Sequence, residues 1–201
     1  YYIRCFIKGL KMTKIAINGI GRIGKLVLKL LLQNNYDIKY LNEINGDTKS
    51  LIHSLEFDSI HGKWDDCFEL KNDSIKINNK EIKTTFFSNI EDLNLDDIDL
   101  VIECTGKYKN TLKLQKYFDK GIKKIIVSAP INEDNVVNIA YGVNHNIYKP
   151  KEHNIITGAS CTTNCIAPII KVLHENIGIN HGSITTIHNL TNSQTLSLIH
   201  I

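Results

Sequence analysis

No stretch of the 201-residue sequence is apolar over the roughly 18 to 20 residues that crossing a bilayer requires, so no membrane-spanning helix is expected. Charge of one sign is scarce as well. The 24 Lys and Arg against 21 Asp and Glu leave a formal net charge of +3, evenly spread, and no nucleic-acid partner is expected. Short basic groups such as Lys8 to Lys14 and Lys120 to Lys124 read as solvated faces or a leader. Metal-ligand spacing is missing too. Cys161 and Cys165 stand close together, but no second Cys or His pair accompanies them at finger spacing, so no metal is expected. The other cysteines, Cys5, Cys67 and Cys104, are scattered. An odd, dispersed set without a secretory signal points to reduced thiols and a cytoplasmic location.

Methionine occurs once, at Met12, directly before the first strand pattern. Residues 1–11 lack a clean apolar core and a small-residue cleavage site, so they do not read as a signal peptide. They are expected to be non-native, translated upstream sequence, with an organellar leader as the alternative. Residues 196–201 (LSLIHI) match a transposon end used in sequencing libraries and are expected to be non-native too.

What is present is a 42% hydrophobic chain, enough for one full domain and part of a second. Ile15 to Asn18 is a short apolar run ending at glycine, the pattern of a buried parallel strand. Arg22 to Leu32 carries Ile23, Leu26, Val27, Leu30 and Leu31 at helical spacing, and Ile38 to Leu41 gives a second strand. Together they make a βαβ unit of about 30 residues. Asp99 to Glu103 and Lys124 to Ser128 read as further strands flanking a helix over Thr111 to Lys120. The alternation over Ser74 to Ile82, with Asn78-Asn79 inside it, predicts an antiparallel hairpin inserted in the sheet. Ser160 to Glu175 is helical again, and the β-branched run Ser183 to His188 predicts the first strand of another sheet. The fold class is therefore α/β. A Rossmann-type parallel-sheet domain over 12–158 is followed at 159–195 by the start of a second domain with a sheet of its own.

Gly19-Ile20-Gly21-Arg22-Ile23-Gly24 is G-x-G-x-x-G between a strand and a helix. Gly19 permits the tight turn, Gly21 lets the backbone approach a pyrophosphate, and Gly24 lets helix and strand pack closely. The helix N-terminus offers free N–H groups and partial positive charge to the phosphates. Glu43 stands 19 residues past Gly24, where an acid would accept from the adenosine ribose hydroxyls. A carboxylate there repels a 2′-phosphate and favours NAD over NADP.

Cys161 falls at the start of a helix, where the helix end lowers a thiol pKa. Cys165 is one turn on and is expected to pack inward. His188, 27 residues after Cys161, is the candidate base, since a Cys–His pair suits nucleophilic attack followed by proton transfer.

These blocks resemble the glyceraldehyde-3-phosphate dehydrogenases. INGIGRIG (17–24), ECTG (103–106), SAP (128–130), YGVNH (141–145), ASCTTNCIAP (159–168) and TTIH (185–188) occur in that family's order and spacing. The resemblance covers roughly residues 12 to 195. It implies an aldehyde substrate, D-glyceraldehyde 3-phosphate, which Cys161 attacks to give a thiohemiacetal. Hydride then passes to NAD while His188 takes a proton, and inorganic phosphate cleaves the resulting thioester to 1,3-bisphosphoglycerate. It implies that the N–H groups of Arg22 and Ile23 hold the pyrophosphate and that Glu43 holds the ribose. Thr105, Gly106 and Ser128 would line the cofactor, and Ser160, Thr162 and Thr191 would contact substrate or phosphate. The resemblance also implies that 12–158 is an NAD-binding Rossmann-type dinucleotide-binding domain, that 159–195 is the truncated start of an α+β catalytic domain with a mainly antiparallel sheet, and that a full-length protein is a homotetramer. Glu43 departs from the commoner Asp and Ile20 from the commoner Phe, and no basic residue stands near Ser88-Asn89, where many members carry one beside the adenine. The family's phosphate-gripping arginines lie beyond residue 201, so the chain alone is expected to lack turnover. Erythrose-4-phosphate dehydrogenases and an arsenate-associated branch share parts of the pattern and are the alternatives. Of another class are a non-catalytic NAD-binding role and an inactive truncated product.

Overall fold

A computed structural model describes residues 13–58 and 60–188. The chain runs through β1 (Lys14–Asn18), α1 (Arg22–Gln33), β2 (Asp37–Asn42), α2 (Thr48–Glu56), β3 (Phe57–Asp58), β4 (Gly62–Lys63), β5 (Phe68–Leu70), β6 (Ser74–Ile77) and β7 (Lys80–Thr85). It continues through β8 (Leu100–Glu103), α3 (Thr111–Asp119), β9 (Lys124–Val127), β10 (Val136–Asn138), β11 (Ile155–Thr157) and α4 (Cys161–Asn176). Nine strands form one sheet in the order β10-β11-β9-β8-β1-β2-β7-β6-β5. All neighbours are parallel except β5–β6 and β6–β7. The expected hairpin is the β6–β7 pair, and Asn78 takes its turn with a φ of 53°, a left-handed conformation that asparagine tolerates.

Why the sheet is covered on both faces can be read in its central strands. Ile15 and Ile17 of β1, with Leu100 and Ile102 of β8, face one cluster that holds Leu28 and Leu31 of α1 and Leu51 and Leu55 of α2. Ala16 and Val101 face the other, with Leu114 and Tyr117 of α3. Successive residues alternate between faces, and both faces are apolar because each is roofed by helices. Each fully buried Leu or Ile contributes about 1.5–3 kcal/mol by leaving water.

The strand order has a consequence for ligands. From β1 the chain crosses to β2 on one side, while β8 pairs on the other. That is a topological switch point, and the crevice outside the carboxyl ends of such strands is where open α/β sheets bind ligands.

Three expectations differ from the observed structure. Helix α2 was not anticipated, because only Leu51 and Leu55 mark its inner face; Asp47 and Ser50 close a reciprocal capping box at its start. Ser183 to His188 forms no strand; it is exposed and has no ladder partner among the described residues, and β-branched composition alone does not make a strand. Cys165 is exposed rather than inward, because α4 buries none of its residues among the described part. Thr191, and the ends at 1–11 and 196–201, lie outside the described residues.

Candidate functional site

The carboxyl ends of β1, β2 and β8 open into a cleft of 380 Å³ lined by Gly19, Gly21, Glu43, Phe87, Asn89 and Thr105 among others. Gly19 turns with φ +90°, and a Cβ on it would come within 2.7 Å of the Thr105 backbone nitrogen. Gly24 packs so closely that its Cβ would lie 1.9 Å from the Gly19 carbonyl oxygen. Around Gly21 nothing lies within 4 Å, so its missing side chain leaves open space above the helix. Each glycine thus meets the demand its place in the motif makes.

The start of α1 is the chemical feature of this cleft. Among the described α-helices, α2, α3 and α4 carry side-chain caps from Asp47, Asn110 and Ser160, and α1 carries none, because its N-cap is Gly21. The first-turn N–H groups of a helix have no partner within it. Those of Arg22, Ile23 and Gly24 are left for an anion at the positive end of the helix. These amides and the bare Gly21 fit the diphosphate of a dinucleotide.

Glu43 closes the opposite wall. Its carboxylate accepts from the Ile20 N–H at 2.7 Å and the Asn45 N–H at 3.2 Å, tying the glycine loop to the end of β2. A carboxylate has about four acceptor positions, so roughly two are left for ribose hydroxyls. Thr105 and the left-handed Gly106 (φ +70°) form the exposed turn after β8. Ser128 follows β9, half-buried, and its N–H donates to Glu103 at 2.9 Å. A basic group does reach Ser88, from another segment: Lys107 Nζ donates to the Ser88 carbonyl at 3.2 Å, and Tyr108 Oη donates to the same oxygen. A search along the chain near residue 88 misses Lys107 because it is brought there by the β8–α3 loop.

Cys161 follows β11 by a short loop, on the same edge of the sheet, and is the first residue of α4. Ala159, just before, is held at φ 56°, an uncommon conformation for a residue with a Cβ. The loop is pinned by Asn164, whose Nδ2 donates to the carbonyls of Gly158 (2.6 Å) and Ser160 (2.9 Å). Ser160 caps the helix, accepting from the Thr163 N–H at 3.0 Å and pairing with Thr163 Oγ1 at 2.8 Å. Cys161 Sγ lies 3.3 Å from His188 Nε2. That hydrogen bond, followed by ones from the Thr162 side chain and backbone, holds the exposed thiol below its ordinary pKa. Cys104 is the opposite case: burial, then the neighbouring Glu103, pushes its thiol up to about 12. Among the described residues no cluster of three or more His, Cys, Asp or Glu is placed to hold a metal ion, and no helix is long and apolar enough to cross a membrane.

The uncapped glycine loop, the switch-point cleft and the parallel sheet together define a dinucleotide-binding domain of Rossmann type. Comparison with known proteins makes this specific. Residues 13–111 match the profile described as the glyceraldehyde 3-phosphate dehydrogenase NAD binding domain, and residues 160–200 match that family's C-terminal domain. The chain belongs to the glyceraldehyde-3-phosphate dehydrogenase family, and its cofactor is NAD. It is 41% identical over 187 residues to glyceraldehyde-3-phosphate dehydrogenase 3 of Nostoc sp., covering 92% of this chain and 55% of that protein. To glyceraldehyde-3-phosphate dehydrogenase of Geobacillus stearothermophilus it is 41% identical over 188 residues, 92% of this chain and 55% of the relative. The figures for Thermotoga maritima are 42% over 188 residues, 91% and 56%. The chain thus spans about half the length of the curated relatives it matches.

Proposed function

We propose that the protein containing this chain is an NAD-dependent, phosphorylating aldehyde dehydrogenase acting on D-glyceraldehyde 3-phosphate, with Cys161 as nucleophile and His188 as its acid–base partner. The observation that carries the proposal is the Cys161–His188 contact of 3.3 Å at the start of a capped helix, on the sheet edge that also bears the glycine loop.

The steps follow from the groups present. His188 takes the thiol proton, the Cys161 thiolate attacks the aldehyde carbon, and the imidazolium gives that proton to the carbonyl oxygen, so that a thiohemiacetal forms and His188 is again neutral. The bound NAD supplies the hydride acceptor. His188 removes the hydroxyl proton of the thiohemiacetal as the carbon is oxidised, leaving a thioester on Cys161. Inorganic phosphate then attacks the thioester, releases the acyl phosphate and restores the thiolate. In the cleft, the N–H groups of Arg22 and Ile23 hold the diphosphate, Glu43 accepts from the ribose, and Thr105, Gly106 and Ser128 line the remainder. Ser160, Thr162 and Thr191 contact substrate or phosphate. The same reading divides the chain after residue 158, supported by the end of the parallel sheet at Thr157 and by an α4 that buries nothing. It also assigns a homotetramer to the whole protein.

The test is thiol chemistry joined to turnover. Cys161 is expected to react with iodoacetamide at neutral pH faster than the exposed Cys67 and Cys165, while half-buried Cys104, its thiol pushed up to about 12, stays largely unlabelled. His188→Ala should slow that labelling, and Cys161→Ser should cut phosphate-dependent NADH production by the whole protein at least about 10³-fold. Retention of turnover in Cys161→Ser would sink the proposal.

A further inference from the structure

Beneath the NAD cleft lies a line of polar side chains that the proposed chemistry does not use. Glu103, Asn18, Asn42 and Thr85 are register neighbours across four adjacent parallel strands, β8, β1, β2 and β7. Glu103 is 1% exposed. Its Oε2 accepts from Asn18 Nδ2 at 3.0 Å and from the Tyr117 hydroxyl at 2.6 Å. Its Oε1 accepts from the Thr105 N–H at 2.7 Å and from the Thr105 hydroxyl. Asn18 Oδ1 in turn accepts from Asn42 Nδ2 at 2.8 Å. Asn42 Nδ2 also donates to the Phe87 carbonyl, and Asn42 Oδ1 accepts from the Phe87 N–H, each at 2.9 Å.

The direction of every bond from Phe87 through Asn42 to Asn18, and of the Thr105 N–H bond, is forced. At one end stands the N–H of Thr105, at the other the N–H and carbonyl of Phe87, and backbone groups cannot exchange donor for acceptor. With Asn42 set by Phe87, Asn18 must turn its Oδ1 to Asn42 and its Nδ2 to Glu103. The group at position 103 therefore faces a fixed N–H donor at each oxygen, and only a carboxylate accepts from these and from the Tyr117 and Thr105 hydroxyls together without either hydroxyl reversing. A glutamine places an N–H against a fixed donor, and a protonated acid must turn the Tyr117 or Thr105 hydroxyl from donor to acceptor. Reversing Asn18 to relieve it passes the conflict to Asn42, and thence to Phe87, where it cannot be relieved.

Asn18, Asn42, Phe87 and Thr105 all line the cleft, and the glycine loop packs on Thr105. We propose that Glu103 is a positioning residue for the cofactor: as a buried carboxylate it sets the hydrogen-bond polarity of the cleft floor, and NAD binds tightly only to that ionised form. The proposal rests on the assignment of NAD to this cleft. The groups facing Glu103 are Asn18 from β1, Tyr117 from α3, Cys104 and Thr105 from its own strand end, and Tyr108 from the following loop. Burial raises the Cys104, Tyr108 and Tyr117 groups above their ordinary range, so they stay neutral while Glu103 titrates. Burial also lifts the Glu103 carboxyl, against the pull of its hydrogen bonds, so its proton returns at a less acidic pH than for a solvated acid.

Calorimetric titration of NAD into the whole protein, repeated from neutral to acid pH, tests this. Wild type should lose affinity on acidification. Glu103→Gln should bind at least about tenfold more weakly at neutral pH, and it should lose less affinity on acidification than wild type does. The iodoacetamide rate of Cys161 should not change. Tyr117→Phe removes one donor to the carboxylate, so the midpoint of its acid loss should move to higher pH. Glu43 is present in all three proteins, so differences between them isolate Glu103. A folded Glu103→Gln that binds as wild type does, or that binds weakly but keeps the full acid loss, overturns the proposal. If Glu103→Gln fails to fold, an unshifted midpoint in Tyr117→Phe overturns it. Failure of wild type to bind NAD at any pH would instead reject the assignment of NAD to the cleft.

Discussion

Exchanging alanine for Gly24 and, separately, for Gly21 should produce opposite losses. At Gly24 the added Cβ would lie 1.9 Å from the Gly19 carbonyl oxygen and 2.9 Å from its carbon, both backbone atoms. Relief requires α1 to lift from the end of β1 by more than an ångström or so, against the packing of Leu28 and Leu31. Overpacking of a tight site costs about 1–3 kcal/mol, and a clash with backbone belongs at the upper end, about 3 kcal/mol. For a cooperative unit of about 150–250 residues, that lowers the melting temperature by about 6–12 °C. At Gly21 the methyl meets nothing within 4 Å, and the residue has φ −73° and ψ −161°, open to any L-residue. The stability cost is that of a poorer N-cap, under about 1 kcal/mol. The methyl instead fills the space through which the NAD diphosphate approaches the free amides, so affinity should fall at least about tenfold. Scanning calorimetry and NAD titration on both variants separate the two effects. A Gly24→Ala protein that melts with wild type, or a Gly21→Ala protein that binds NAD unchanged, would refute the division of labour assigned to these glycines.

Two further outcomes concern stability. Leu28→Ala empties a fully buried site between α1 and the sheet and should cost about 2–5 kcal/mol by urea unfolding, whereas the partly exposed Leu30 should tolerate the same change. Lys25 pairs with Asp58 at 2.6 Å and, with the N–H groups of His61 and Ile60, holds that carboxyl well below the usual range. A depressed acid contributes stability above its unfolded pKa and loses it as pH falls through the folded one. Lys25→Met should therefore be less stable at neutral pH, and its gap from wild type should narrow on acidification in melts taken across pH; a constant gap would rule the mechanism out.

What the sequence by itself determined were features carried by neighbours along the chain. Strand, glycine loop, helix and second strand are legible because turn chemistry and the 2.0 and 3.6 periods act over a few residues. The β6–β7 hairpin was legible from alternation around Asn78-Asn79, and Cys161 from its place before an apolar-periodic helix. Local signals failed where an element depends on a distant partner. The run at Ser183 to His188 has strand composition but no strand beside it among the described residues, and short β10 and β11 exist only because they find each other and β9. Tertiary structure alone decided the order of strands, and with it the switch point that opens the cleft between β2 and β8. It alone laid Glu103, Asn18 and Asn42 side by side, brought Lys107 to Ser88, and set His188 against Cys161. Such pairings join residues about twenty to eighty-five positions apart, and they form only once the folding of the whole sheet has met the entropy of closing those loops.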